Sequence, residues 1–276
     1  MYKLGWFSTG RGEGSKGLLR AAQSAITSGE LEAEIEFVFC SRERGETEPT
    51  DQFLQMVEDY GIPLVCFSYQ KYRRARGERT PPPGSPMPQW RLDYDKESMA
   101  RLKDFLPDLC VLAGYLLILG KEMARKYNII NLHPAAPDGP LGLMWQDVIW
   151  KLIETDADET GAMMHLAIPE LDEGPVVTYC KFPIKGGAFN EHWRDIRQRS
   201  LDEARATQGE NNPLFKLIRQ NGVIREVPLV LSTIRAFSQG MVKIDPDREI
   251  TDAEGNVIDG YDLTSEINEL IAGNSG

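Results

Sequence analysis

The 276-residue chain is expected to fold as an α/β protein: a Rossmann-like, mostly parallel, doubly wound sheet with a helical C-terminal extension. Two observations predict it. Continuous apolar runs, rather than alternating ones, recur through the first half, which marks strands buried on both faces. Amphipathic stretches separate those runs, and the right-handed crossover rule then places helices over the sheet.

The elements follow in order. Residues 4–8 form the first apolar run, and the polar Ser8-Thr9-Gly10-Arg11 ends it too early for a signal peptide. A glycine-rich turn leads into a helical stretch at 17–27. Strands are expected at 35–40 (IEFVFC), 63–67 (PLVCF), 108–113 (DLCVLA) and 129–132, with a helix at 51–60. Residues 71–90 (KYRRARGERTPPPGSPMPQW) break the rhythm. Basic and then proline-rich, they are expected to be neither helix nor strand, but a solvated loop or a mobile flap over a ligand. From residue 161 the pattern changes. Strands at 161–168 and 175–182 are expected around an acidic turn, followed by helices at 190–206, 212–220 and 225–239. A small hairpin is expected within 242–260, around Glu254-Gly255. The expected organisation is a single domain over 1–276: a core at 1–185 carrying the 71–90 insertion, and an extension at 186–276.

Forty-two acidic against 31 basic residues give a formal net charge of −11. That balance favours solubility and disfavours broad nucleic-acid binding. No apolar run approaches the roughly 20 residues that span a bilayer, so no membrane partner is expected. The four cysteines (Cys40, Cys66, Cys110, Cys180) form no CxxC pair. Three sit in apolar runs, where cysteine behaves as a small hydrophobe. A reducing, cytoplasmic location is expected.

Three motifs carry possible chemistry. Asn131-Leu132-His133-Pro134 ends an expected strand. There Asn131 and His133 project to one side, into the crevice where open α/β sheets bind ligands. The plainer alternative is a polar strand end before a proline turn. Glu170-Leu171-Asp172-Glu173-Gly174-Pro175 is a short acidic turn. From it Asp172 can approach His133, fix its tautomer and favour imidazolium; alone it also fits a solvent-facing hairpin. Residues 8–17 (STGRGEGSKG) can turn backbone N–H groups toward a phosphate. They lack the Walker spacing and equally fit any tight strand-to-helix turn.

Taken in order, these pieces resemble the folate-dependent formyltransferase family. The glycine-rich turn is followed by Pro107-Asp108-Leu109-Cys110-Val111-Leu112-Ala113-Gly114-Tyr115, then Asn131-Leu132-His133-Pro134, the 161–165 strand (GAMMH) and Leu171-Asp172-Glu173-Gly174-Pro175. The resemblance covers roughly residues 3–183 and, more weakly, 225–243. Asn-x-His-Pro followed some forty residues later by Leu-Asp-x-Gly-Pro is far more specific than either piece. The nearest branch is the one that formylates phosphoribosylglycinamide in purine biosynthesis.

The resemblance implies transfer of a formyl group from 10-formyltetrahydrofolate, a co-substrate, to an amine, without metal. It implies catalytic roles for Asn131, His133 and Asp172. It places the pterin on the backbone around Leu117, Ile118 and Leu119 and on the turn Glu170, Leu171, Glu173 and Gly174. It places the substrate phosphate on Gly12, Glu13, Gly14, Ser15 and Lys16. The implied partners are small molecules: folate and a phosphorylated amine.

Departures from the family bear on the acceptor. Glu13 stands where a small uncharged residue is usual, Leu117 where purine-specific members often carry Arg, and Ala135-Ala136-Pro137-Asp138 where Ser-Leu-Leu-Pro is usual. Formylation of a sugar nucleotide or of methionyl-tRNA, hydrolysis of the formylfolate, and a non-catalytic folate or nucleotide binder are the competing readings. The acidic balance and the lack of an evident tRNA-binding extension disfavour tRNA, although Arg73, Arg74, Arg76 and Arg79 form a basic cluster.

Overall fold

The computed structural model describes residues 1–80 and 85–273. The chain has an α/β fold with a mostly parallel multi-strand sheet flanked by helices and a helical C-terminal region. It divides into two compact units: residues 1–131 with 166–174, and residues 132–165 with 175–276.

In the first unit, five strands lie in the order β5-β4-β1-β2-β3: β1 (Tyr2–Ser8), β2 (Ala33–Cys40), β3 (Leu64–Cys66), β4 (Leu109–Leu112) and β5 (Ile129–His133), the last continuing into the second unit. Their pairings are all parallel. Leu4, Phe7, Phe37, Phe39, Cys110 and Ile129 are buried, as continuous apolar runs require of a covered parallel sheet. Gly5 is where strands crowd. A Cβ there would lie 2.6 Å from the Phe37 ring and 2.7 Å from Cys110 Sγ.

Helix α1 (Glu13–Thr27) follows β1, and α2 (Glu48–Asp59) starts where the Thr47 side chain accepts from the Thr50 N–H with a proline in its first turn. Helix α3 (Tyr69–Ala75) is capped by Ser68, whose hydroxyl accepts from the Lys71 N–H. Helices α4 (Gln89–Arg101) and α5 (Lys121–Lys126) complete the unit.

The expectation of irregular chain at 71–90 holds for the described residues 76–80 and 85–88 and is corrected at both ends. Residues 71–75 continue α3, and Gln89 and Trp90 open α4. Tyr72, Trp90 and Tyr94 are buried in the unit's aromatic core, with the Phe67 and Tyr94 rings stacked at 4.7 Å. The run of charge hid this, because Arg73, Arg74 and Arg76 flank a single buried anchor, Tyr72. The proline triplet at 81–83 lies outside the described residues.

The second unit carries α6 (Trp145–Glu154), β6 (Glu159–Leu166), β7 (Val176–Pro183), α7 (Phe189–Ile196), α8 (Leu201–Gln208), α9 (Pro213–Ser238), β8 (Val242–Ile244), β9 (Ile250–Asp252), β10 (Tyr261–Asp262) and α10 (Thr264–Gly273). Strands β6 and β7 pair antiparallel, and β10 adds parallel to β7. Trp150, Trp193, Phe182, Leu214 and Phe215 centre its core.

Two local expectations change. Residues 190–206 form two helices rather than one. The stretches 212–220 and 225–239 form one continuous helix, α9, with Gly222 and Pro228 inside it. Its start is set by Asn212, which accepts from the Phe215 N–H at 3.1 Å ahead of Pro213. The small hairpin expected around Glu254-Gly255 is present, Thr251 bridging Val257 antiparallel and the Ile258 N–H donating to the Ile250 carbonyl at 2.8 Å, and β8 pairs with β9 through a further turn at 245–249.

Among the described residues no helix is long and apolar enough to cross a membrane. The four cysteines are unbridged.

Candidate active site

Strand β5 ends on the polar residues that the sequence singles out. Asn131 is half-buried and His133 is buried, and their i, i+2 spacing puts both on one face of the strand. His133 Nε2 lies 2.7 Å from the Pro140 carbonyl oxygen. A carbonyl only accepts, so Nε2 carries a hydrogen and donates it. That bond fixes the orientation of the ring. The His165 ring stands 6.4 Å away, edge to face. A cavity of about 650 Å³ within the second unit is lined by Asp138, Pro140, Leu141, Lys151 and Glu159 among others, so Pro140 borders both the cavity and the imidazole.

Asp172 is buried, and its backbone is left-handed, with φ +59°. Aspartate is among the few residues other than glycine that adopt this region readily. The turn closes where the Glu173 N–H donates to the Glu170 carbonyl at 3.4 Å, and Leu171 is exposed. The chain entering this turn is tied to β5 by the bond from the Ala167 N–H to the Ile129 carbonyl, 2.7 Å long.

The segment after β4 is held with similar closeness. The Ala113 N–H donates to the Phe7 carbonyl, the Thr9 N–H to the Gly114 carbonyl, and the Leu116 N–H to Thr9 Oγ1. Gly114 has φ +70°, and a Cβ there would sit 2.1 Å from Ser15 Oγ, so this position needs glycine twice over. Beyond it Leu117 is partly buried against the core, Ile118 is exposed and Leu119 is buried. Helix α4 reaches this segment. Arg91 Nη2 donates to the Ile118 carbonyl at 2.7 Å, and Asp95 Oδ2 accepts from the Gly120 N–H at 2.7 Å. The two side chains pair at 3.1 Å and are both buried. Burial pushes the Asp95 carboxyl up, and the Arg91 guanidinium pulls it back. Sequence reading missed this pair. Its signal was an Arg and an Asp at i, i+4, which can meet on one helix face, just beyond the 71–90 segment expected to be loop.

The glycine-rich turn differs from expectation. Gly12 is the N-cap, and Glu13, Gly14, Ser15 and Lys16 are the first turn of α1 rather than a loop. The N–H groups of Glu13, Gly14 and Ser15 therefore have no intrahelical acceptor and stand at the positive end of the helix. Lys16 is buried. Its Nζ donates to Glu13 Oε1 at 2.9 Å and to Gln52 Oε1 at 2.7 Å, while the Glu13 side chain is exposed.

Residues 12–206 match the family model described as formyl transferase. A phosphoribosylglycinamide formyltransferase of Schizosaccharomyces pombe is 27% identical over 182 residues, which is 64% of this chain and 80% of that protein. One from Escherichia coli is 31% identical over 96 residues, spanning 34% of this chain but only 44% of that protein. The crystal structure of a phosphoribosylglycinamide formyltransferase from Coxiella burnetii superposes with a TM-score of 0.65 at 18% identity, covering 95% of this chain and 98% of that one, a likeness of fold.

Proposed function

This chain belongs to the formyl transferase family, and from that premise we propose that it transfers a formyl group from 10-formyltetrahydrofolate to the amine of phosphoribosylglycinamide. The observation that carries the reading is the polar end of β5, where an amide and an imidazole share one strand face and the imidazole is held in orientation by Pro140. The reaction needs such donors. The amine attacks the formyl carbon, a C–N bond forms, and negative charge gathers on the formyl oxygen. Asn131 offers a neutral N–H donor to that oxygen, and His133, as imidazolium, a charged one. Collapse of the intermediate breaks the bond from the formyl carbon to the folate nitrogen, which takes a proton while the new amide loses one. Asp172 supports the imidazolium and the proton transfers.

In the same reading, the backbone at Leu117, Ile118 and Leu119 and the turn Glu170, Leu171, Glu173 and Gly174 receive the pterin. The first turn of α1, Gly12 to Lys16, receives the acceptor's phosphate. The first-turn N–H groups, which have no intrahelical acceptor, support that assignment. The purified chain incubated with 10-formyltetrahydrofolate should formylate phosphoribosylglycinamide, with a rate that depends on the amine. Formate release independent of any amine would replace transfer by hydrolysis. Transfer to a sugar nucleotide or methionyl-tRNA alone would keep the chemistry and change the acceptor.

A further inference from the structure

We propose that Arg42 forms an anion-binding site at the carboxyl edge of β2, one that takes a phosphate group, free or carried by a substrate. Among the described residues, three arginines are buried: Arg42, Arg91 and Arg225. Two of them have acceptors. Arg91 bonds the Ile118 carbonyl and pairs with Asp95, and Arg225 bonds the Asn221 carbonyl and the Asn268 side chain. The Arg42 guanidinium makes no hydrogen bond to a described residue, although its side chain is only 6% exposed. Its single ion pair is a long one: Glu46 Oε2 stands 3.8 Å from Nη1, beyond hydrogen-bond reach. The Arg42 Nε–H is buried with no acceptor.

A planar fork of N–H donors is costly to bury without acceptors. An oxyanion is its natural complement, because two parallel N–H groups bind two oxygens side by side. The nearby carboxylates leave that role open. Glu46 Oε1 accepts from the Glu43 N–H at 2.8 Å, which ties this side chain to backbone and leaves Oε2 short of the arginine. Glu43 is taken by Lys71 at 2.7 Å. The position is also one where ligands bind, since an open α/β sheet receives them beyond the carboxyl ends of its strands. Cys40, the last residue of β2, is in register with Ser8, the last of β1. Ser41 joins the two strand ends: its N–H donates to the Ser8 carbonyl at 3.0 Å and its hydroxyl to Thr9 Oγ1 at 3.2 Å. The 41–47 segment then leads into α2, whose Gln52 holds Lys16 of the first turn of α1. Arg42 is thus a second cation on the edge that carries the α1 turn, and it is the one without a hydrogen-bond acceptor.

The test is a titration of the isotope-labelled full chain with inorganic phosphate, followed by NMR. The Arg42 Nε–H resonance, identified by its loss in Arg42→Lys, and the amides of residues 41–46 report this site. The amides of residues 12–16 report the α1 turn separately. Phosphate is expected to shift the Arg42 Nε–H and the 41–46 amides in the wild type. Arg42→Gln should weaken that binding about ten- to a hundredfold, the scale of one lost hydrogen bond to a charged group. Arg42→Lys keeps the charge without the fork and should fall between the two. Glu46→Gln removes the neighbouring carboxylate and should tighten phosphate, most at low salt. A purely structural Arg42–Glu46 pair predicts instead that Glu46→Gln loses stability and leaves the Nε–H indifferent to phosphate. The source of the anion is read from KM for phosphoribosylglycinamide, with one phosphate, and for an amino sugar on a nucleoside diphosphate, with two. A rise in Arg42→Gln confined to one acceptor assigns the site to that acceptor's phosphate, and unchanged KM for both beside weakened phosphate binding assigns it to the free ion. Wild-type shifts that chloride reproduces at equal ionic strength overturn the proposal, as does wild-type phosphate affinity in Arg42→Gln. If Arg42→Gln does not fold, the wild-type Nε–H titration decides alone. If the chain formylates neither acceptor, the transfer reading fails while the phosphate titration still decides the site.

Discussion

Lys16 is almost wholly buried with its ammonium 2.9 Å from the carboxylate of Glu13, whose own side chain stays in solvent. The turn proposed to take a phosphate thus carries an anion that is turned outward and partly neutralised by the lysine next to it. The electrostatic cost of Glu13 is blunted but not removed, because a pair whose carboxylate stands in solvent is weakly coupled and screened by salt.

Glu13→Gln should therefore tighten binding of the phosphorylated acceptor. KM for phosphoribosylglycinamide is expected to fall about two- to fivefold at low ionic strength, with the gain shrinking in 0.5 M salt. Steady-state kinetics at two salt concentrations check it. An unchanged KM at both would mean that the phosphate is held elsewhere.

Asn131→Ala removes one proposed oxyanion donor, a loss that typically lowers kcat by about 10²–10³. His133→Ala should cost at least as much. Because the groups act on one oxyanion, the double variant should lose less than the product of the single losses. Near-normal turnover by either single variant with the true acceptor would remove that residue from the mechanism.

Asp172 combines a proposed proton-transfer role with a left-handed backbone. Asp172→Asn tolerates that conformation and should keep the fold and the folate affinity while slowing turnover. Asp172→Val should in addition lose about 1–2 kcal/mol of stability, since a β-branched residue is strained at positive φ. Urea unfolding separates the two effects: equal stability losses in both variants would contradict the backbone argument.

Helix α3 and the start of α4 make stability claims about a segment that reads as polar. Trp90→Ala should cost about 3–5 kcal/mol as a buried aromatic truncation. Arg74→Ala, on the exposed side of α3, should stay within about 0.5 kcal/mol of wild type. Comparable losses at both positions in denaturant titrations would show that Trp90 is not the anchor.

Burial pushes the thiols of Cys66 and Cys180 from 9.0 up to about 11 each. The folded state then holds those protons where the unfolded chain releases them. Stability from this source is fully present below pH 9 and is lost as pH rises toward 11. Under reducing conditions the urea midpoint should drop between pH 9 and 11, and Cys66→Ala with Cys180→Ala should reduce that drop without abolishing it, because burial raises the Cys40 and Cys110 thiols as well. A slope unchanged in the double variant would assign the alkaline loss to other groups.

The amino-acid sequence by itself determined the alternation of strands and helices in the first half, because continuous apolar runs need cover on both faces whatever their neighbours are. It also singled out Asn131, His133 and Asp172, since an amide, an imidazole and a carboxylate at strand ends and turns have little packing reason to be there. Boundaries set by local chemistry were legible too, as at the Asn212-Pro213 start of α9. What only tertiary structure decided was long-range. Residues 71–75 became helix because Tyr72 is buried among Phe67 and Tyr94, which no local propensity records. The stretch 213–238 stayed one helix through Gly222 and Pro228 because its buried face, including Leu214, Ile218, Leu229 and Ile234, outweighs two local breakers. The glycine-rich turn became the first turn of α1, packed so closely that Gly114 and Ser15 leave no room for a Cβ between them. The Arg91–Asp95 pair gained its meaning only when α4 met residues 118 and 120, some 25 positions further along the chain. Periodicity and residue type act within a few residues, whereas burial and a bond to a distant backbone depend on which chain segments meet, and there the folded structure decides.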